Sequence, residues 1–210
     1  MFEKVFVVTR KTRLAELVER FNTVGQARFY IESAGGNFEE YALEDAVYRH
    51  SMEVTRRALP SDLKIQFLDR GLAPTVLFTE KDLIVTLGQD GLVANTAKYV
   101  RGQPILAVNP DPRRFDGVLL PFQPDGLRGY LERTLANQVR LRSITLAEAK
   151  LKDGQRLLAF NDLFIGAQSH VSARYRIGYR ARVEEQSSSG IIVSTGAGST
   201  GWLSSIFNQT

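Results

Sequence analysis

Asp82-Leu83-Ile84-Val85-Thr86-Leu87-Gly88-Gln89-Asp90-Gly91 is the stretch that decides the fold class. Residues 83–87 are apolar apart from one threonine. A strand exposed on one face alternates apolar with polar; an unbroken run is covered on both faces, which is the habit of parallel sheets. Gly-Gln-Asp-Gly interrupts the run, and residues 93–100 then predict a helix. Pro104-Ile105-Leu106-Ala107-Val108 predicts the next buried strand. Strand, loop, helix, strand is a βαβ unit.

The pattern extends toward the N-terminus. Val5-Phe6-Val7-Val8 predicts another buried strand. Leu14, Leu17, Val18 and Phe21 recur at i, i+3, i+4 and i+7, one face of a helix. A second helix is expected from Asn37, with Glu40 three residues on as in a capping box and Phe38, Tyr41, Tyr48 and Met52 as its stripe. Pro60 ends it, and residues 63–68 predict a strand. Past Gly126 the style changes. One helix, with Leu127, Tyr130, Leu131 and Leu135 on a face, precedes strand-like stretches at 139–146, 157–165, 173–183 and 191–195. Several alternate apolar with arginine, as antiparallel strands with a wet face do. The expectation is a Rossmann-like α/β domain over residues 1–126 and a β-rich, sandwich-like domain over 127–210.

Composition narrows the function. Of the 210 residues, 43% are hydrophobic and 24% charged, an ordinary globular balance. The N-terminal apolar run is too short for a signal peptide, and no run approaches the roughly 18 residues of a membrane helix. With no cysteine, disulfides and thiolate metal sites are excluded, and a reducing, cytoplasmic setting fits. The net charge of +4 is scattered, without a run of like charges to grip a polyanion. Neither nucleic acid nor membrane is expected as a partner. His50 and His170 have no companions at metal-ligand spacing, so no metal ligand is expected. Arg174, Arg176, Arg180 and Arg182 are read as one strand's wet face.

Two loops carry chemistry. Gly88-Gln89-Asp90-Gly91 follows a buried strand, where open α/β sheets place ligands. Its glycines admit a phosphate to backbone N–H groups at a helix start. Asp90 would repel phosphate, so it reads either as a base, a magnesium anchor or a sugar-hydroxyl acceptor, or merely as a helix cap. The second loop runs from Ser187 to Trp202, Ser-Ser-Ser-Gly-Ile-Ile-Val-Ser-Thr-Gly-Ala-Gly-Ser-Thr-Gly-Trp. Small residues let a ligand lie on the backbone, hydroxyls supply neutral hydrogen bonds, and Trp202 supplies an aromatic face. A helix is expected to start at Ser199 or Thr200.

Together these segments resemble one family. DLIVTLGQDGLVANTAKY, residues 82–99, resembles the NAD kinase strand that enters the GGDGT motif. Ala159-Phe160-Asn161-Asp162 resembles the family's Asn-Glu motif, and SSGIIVSTGAGSTGW its DG-x-x-VSTPTGSTAY segment. Ser-Ser-Gly before the strand, Gly-x-Gly-Ser with tryptophan after it, and Val108-Asn109-Pro110-Asp111-Pro112 are similar to the mitochondrial-type branch.

The resemblance implies transfer of a phosphoryl group from ATP, with magnesium, to the 2′-hydroxyl of the adenosine ribose of NAD. It implies Asp90 as catalytic base, and Gly88, Gly91, Asn161, Asp162, Ser189, Thr200, Gly201, Trp202 and Ser205 as nucleotide-binding residues. It also implies a homodimer or higher homo-oligomer. Gln89 stands where the motif has its second glycine, Leu92 where it has threonine, and Asp162 where the family has glutamate. These departures motivate the alternatives of a non-catalytic nucleotide-binding protein or a related lipid or sugar kinase. The family also usually continues beyond the helix after Trp202, so the stop at Gln209-Thr210 is early.

Overall fold

The computed structural model describes residues 2–208; Gln209 and Thr210, on which the early stop bears, lie outside them. The chain divides into two compact units, Met1–Leu141 and Arg142–Thr210.

In the first unit β1 (Lys4–Thr9) leads through α1 (Arg13–Phe21), α2 (Val24–Ser33) and α3 (Phe38–Ala58) to β2 (Lys64–Asp69). Then come β3 (Asp82–Leu87), α4 (Asp90–Ala97), β4 (Ile105–Val108) and α5 (Leu127–Leu135). The four strands form one sheet in the order β2-β1-β3-β4, all parallel. The α/β class expected from residues 82–108 therefore holds. Every residue of β3 is buried, as its unbroken apolar run requires.

Alternation along the strands divides the core. Val5, Val7, Leu83, Val85 and Leu87 pack with Tyr48, Leu127 and Leu131 on one face. Phe6, Val8 and Ile84 pack with Phe78 and Leu92 on the other. Each such side chain, fully buried, contributes about 1.5–3 kcal/mol, so the central strands anchor the unit.

Three helices depart from expectation. α2 was not anticipated; it buries only Ala27 and Ile31, capped by Thr23 accepting from the Gln26 N–H. α3 starts after Asn37 as expected, the Asn37 side chain accepting from the Glu39 N–H. Its buried face, however, is largely polar: Glu44, Asp45, Ser51 and Thr55 lie there with Tyr48. α4 spans Asp90–Ala97 and not residues 93–100, because its first turn is held by a contact from a distant loop.

Among its described residues the second unit holds three antiparallel ribbons and no long helix: β5 (Ala147–Lys150) with β6 (Arg156–Ala159), β7 (Asp162–Gly166) with β10 (Gly190–Ser194), and β8 (Ala173–Tyr179) with β9 (Arg182–Ser188). Residues 139–146 form no strand. The expected strand over 157–165 is two, broken at Phe160-Asn161, and 173–183 is a hairpin that turns at Arg180, whose φ is +55°. The four arginines therefore do not share a strand: Arg174 and Arg176 lie on β8, Arg180 in the turn and Arg182 on β9. A short 3₁₀ turn, Gly198–Thr200, precedes α6 (Trp202–Phe207), so the expected helix begins as 3₁₀ one residue before Ser199.

Candidate functional site

In the first unit, the chain passes from β1 to β2 on one side and then to β3 and β4 on the other. The order thus reverses between β1 and β3, and open parallel sheets place ligands at the carboxyl ends of the strands at such a switch. Val8 is paired with Thr86 there, so the segments leaving the sheet side by side are Arg10 onward and Gly88 onward.

Gly88 is buried, and its N–H donates to the Val108 carbonyl at 3.2 Å. A Cβ at this position would lie 2.7 Å from Leu92 Cδ2, so glycine is required by the packing of Leu92. Gln89 occupies the N-cap position without a side-chain bond. Asp90 is the first residue of α4, half-buried, and its Oδ1 accepts from the Leu119 N–H at 2.6 Å. It is therefore not the helix cap. Gly91 is exposed, and a Cβ there would meet nothing within 4 Å.

The Leu119 N–H comes from a segment wound around one buried asparagine. Asn109 Nδ2 donates to the Phe115 carbonyl at 2.9 Å, and Oδ1 accepts from the Asp111 N–H at 3.0 Å. Gly117 takes φ +67°, and a Cβ there would fall 2.7 Å from Asn109 Nδ2. This is the Val108–Pro112 stretch singled out in the sequence, and Ser51 of α3 fastens it by donating to the Pro110 carbonyl at 2.7 Å.

Beside these residues lies a charged cluster that sequence reasoning missed. Glu44, 4% exposed, accepts from Arg10 Nη2 at 2.9 Å and from Arg13 Nε at 2.6 Å, and Arg114 Nη1 lies 3.7 Å away. Burial pushes the Glu44 carboxyl up, but its bonds to and charge attraction by Arg13 and Arg10 outweigh that, so its pKa sits below the usual value. The Tyr48 hydroxyl accepts from the Arg10 N–H at 3.1 Å and donates to the Leu87 carbonyl at 3.0 Å. It thereby ties the exits of β1 and β3 together. Burial raises its pKa, with the Arg10 N–H acting in the opposite direction. The only sequence signal for the cluster was the pair Arg10 and Arg13 directly after a buried strand.

In the second unit the Asn161-Asp162 pair is locked through its backbone. The Asn161 carbonyl accepts from the Thr195 N–H at 2.9 Å, while Thr195 Oγ1 donates to the Phe160 carbonyl at 2.6 Å and accepts from the Gly198 N–H at 3.0 Å. Gly198 passes so close that a Cβ would lie 2.3 Å from the Asn161 carbonyl oxygen. The structure thus brings the Asn161-Asp162 motif against the Gly/Ser/Thr-rich loop. Asn161 itself is exposed. Asp162 Oδ1 is buried with no hydrogen-bond partner among the described residues. Trp202 is half exposed, its ring 5.6 Å from that of Phe164. Ser189, Thr200, Gly201 and Ser205 are exposed on the surface of this unit. Thr195 and Gly198, which do the locking, were not among the expected binding residues.

Among the described residues, no three His, Cys, Asp or Glu side chains gather as a resident metal would need, and no helix is long and apolar enough to cross a membrane.

No family model matches the chain. It is 32% identical over 129 residues to the NAD kinase of Hyphomonas neptunium, covering 59% of this chain and 49% of that protein. It is 32% identical over 130 residues to the NAD kinase of Heliobacterium modesticaldum, covering 58% and 44%. The chain spans about half the length of the curated relatives it matches.

Proposed function

We propose that this chain, similar to two NAD kinases over more than half of its length, is a member of that family and transfers a phosphoryl group from ATP to the 2′-hydroxyl of the adenosine ribose of NAD. The observation that carries the reading is the seating of Asp90. It stands at the carboxyl end of a fully buried parallel strand, with one carboxylate oxygen fixed by the Leu119 N–H at 2.6 Å. That bond orients the carboxylate and leaves Oδ2 as the oxygen to receive a proton. The contribution of Asp90 is to position the hydroxyl and take the proton late in the transfer.

In the proposed step the 2′-oxygen forms a bond to the γ-phosphorus, and the bond from that phosphorus to the β–γ bridging oxygen breaks. The proton passes to Asp90, and ADP leaves. Exposed Gly91, with no atom within 4 Å of where a Cβ would stand, would let a phosphate approach the first turn of α4, where helix starts favour anions. Magnesium bound to the donor would supply charge neutralisation at its phosphates.

In the second unit, Asn161 and Asp162 would hold NAD by side-chain hydrogen bonds. The unpartnered buried Asp162 Oδ1 supports this, because a buried acceptor without a donor is costly unless a ligand supplies one. Ser189, Thr200, Gly201 and Ser205 would complete the polar contacts and Trp202 an aromatic one. The Ser-Ser-Gly and Gly-x-Gly-Ser spacing favours the mitochondrial-type branch. A homo-oligomer is supported by the second unit, whose ribbons leave Leu157, Phe164, Ile165, Tyr179 and Val183 exposed and whose edges are open to pairing. A cytoplasmic setting remains part of the proposal.

The second reading, a nucleotide-binding protein without turnover, is favoured by one observation. Leu92, at the place of the motif's threonine, is packed into the core, so no hydroxyl stands there. A coupled assay for NADP formation from NAD, ATP and magnesium separates the two. Turnover that Asp90→Asn abolishes supports the kinase; NAD binding without turnover supports the alternative.

A further inference from the structure

We propose that Arg10, Arg13 and Arg114 form a subsite for the terminal phosphates of the donor, with Glu44 as the resident counter-charge that the phosphates partly replace. The identity of the ligand rests on the phosphotransferase reading above; the anion-binding chemistry does not.

The argument starts from charge. Glu44 and Asp111 pair with three guanidinium groups, all three of which converge on Glu44, while the Glu40 carboxylate acts on Arg13 without a direct ion pair. One well-bonded arginine suffices to neutralise a buried glutamate. Further guanidinium groups in a partly dry place repel one another, and that repulsion needs an offsetting anion. Arg10 is about nine-tenths buried and carries a buried Nε with no hydrogen-bond partner. Arg13 is the most exposed member. It bonds Glu44 through Nε alone, its side chain is 46% exposed, and it stacks 4.2 Å from the Tyr41 ring centroid. Its terminal amino groups carry no hydrogen bond among the described residues, which leaves a planar donor pair of the kind that grips phosphate oxygens.

Position supplies the second argument. The cluster follows β1, one of the two strands that flank the switch point, and Tyr48 bolts the Arg10 backbone to Leu87, immediately before Gly88. Arg114 lies in the segment whose Leu119 holds Asp90. The guanidinium cluster therefore belongs to the same carboxyl edge of the sheet as the base. In phosphoryl transfer, arginines there stabilise charge on the oxygens of the moving group and the leaving diphosphate.

The test uses the full chain and inorganic tripolyphosphate, titrated calorimetrically without nucleotide. Wild type should bind it. Arg13→Gln and Arg114→Gln should each weaken binding, Arg13→Gln by roughly 10- to 100-fold, the range for a lost charge-assisted bond. Arg180→Gln, an exposed turn arginine of the second unit, should not change it. Arg13 and Arg114 are partly exposed, and cooperative thermal unfolding well above the assay temperature, even if shifted by loss of the Glu44 contact, confirms that loss of binding is not loss of fold. Tripolyphosphate should be displaced by ATP and not by NAD. Equal affinities in Arg13→Gln, Arg180→Gln and wild type, or displacement by NAD alone, overturns the proposal. Absence of NADP formation in the wild type defeats the kinase reading and leaves these binding arms readable.

Discussion

Replacing Gly91 by alanine separates what the fold asks of this residue from what a ligand asks. Gly91 is the second residue of α4, exposed, without positive φ, and a Cβ added there meets nothing within 4 Å. The fold therefore has no use for glycine here. Alanine removes unfolded-state freedom and adds helix propensity, which stabilises by about 0.4–1 kcal/mol at a compatible site. That corresponds to roughly 1–4 °C in melting temperature for a chain of this size. If the open space over Gly91 is where phosphate meets the backbone, the same methyl should weaken ATP binding on the order of tenfold or more, about 1.4 kcal/mol. The variant should be more stable and less able to bind. Gly88→Ala provides the contrast. Its Cβ would stand 2.7 Å from Leu92 Cδ2, so it should lose about 1–3 kcal/mol through overpacking. Thermal melts and ATP titrations of both variants read the result. A Gly91→Ala chain that gains stability and keeps its ATP affinity would falsify the role given to this loop.

Asp90→Asn should lower kcat by roughly 10²–10⁴-fold with NAD affinity nearly kept, since the amide still accepts from Leu119 but cannot take the proton; Gln89→Gly should leave the rate unchanged or raise it. Glu44 has a folded pKa below its ordinary 4.5, so its contribution is complete above that value and is lost as pH falls through the folded pKa. Denaturant titrations from pH 6 to 3 should show this acid limb, and Glu44→Gln should flatten it while lowering stability at pH 6. Asp162→Asn should hold or raise the melting temperature, because a buried unpartnered carboxylate oxygen is exchanged for a neutral amide, while weakening NAD binding; a fall in both would show that Asp162 serves the fold.

What the sequence disclosed and what it concealed follow from the range of the forces involved. β3 was legible because burial on both faces is a property of each of its residues in turn. α2 was not, because helix burial there amounts to Ala27 and Ile31, while Phe29 stays 75% exposed; no apolar stripe exists to be read. α3 was found by its cap and placed correctly, yet its buried face was misjudged. Glu44 is buried because Arg10 and Arg13 reach it from more than 30 residues away, and Ser51 because Pro110 offers a carbonyl 59 residues on. A polar residue's burial depends on partners that only the tertiary fold supplies. The first turn of α4 was missed for the same reason: Asp90 enters the helix with its carboxylate held by Leu119, 29 residues later. The candidate residues of each unit divide the same way. In the first, the glycines and Asp90 are local signals, whereas the arginines around Glu44 are brought together only by tertiary contacts; in the second, Thr195 and Gly198 lock Asn161 through contacts that spacing cannot encode. Functional polar residues should therefore be sought where a buried charge is held by more partners than neutrality requires, as it is at Glu44.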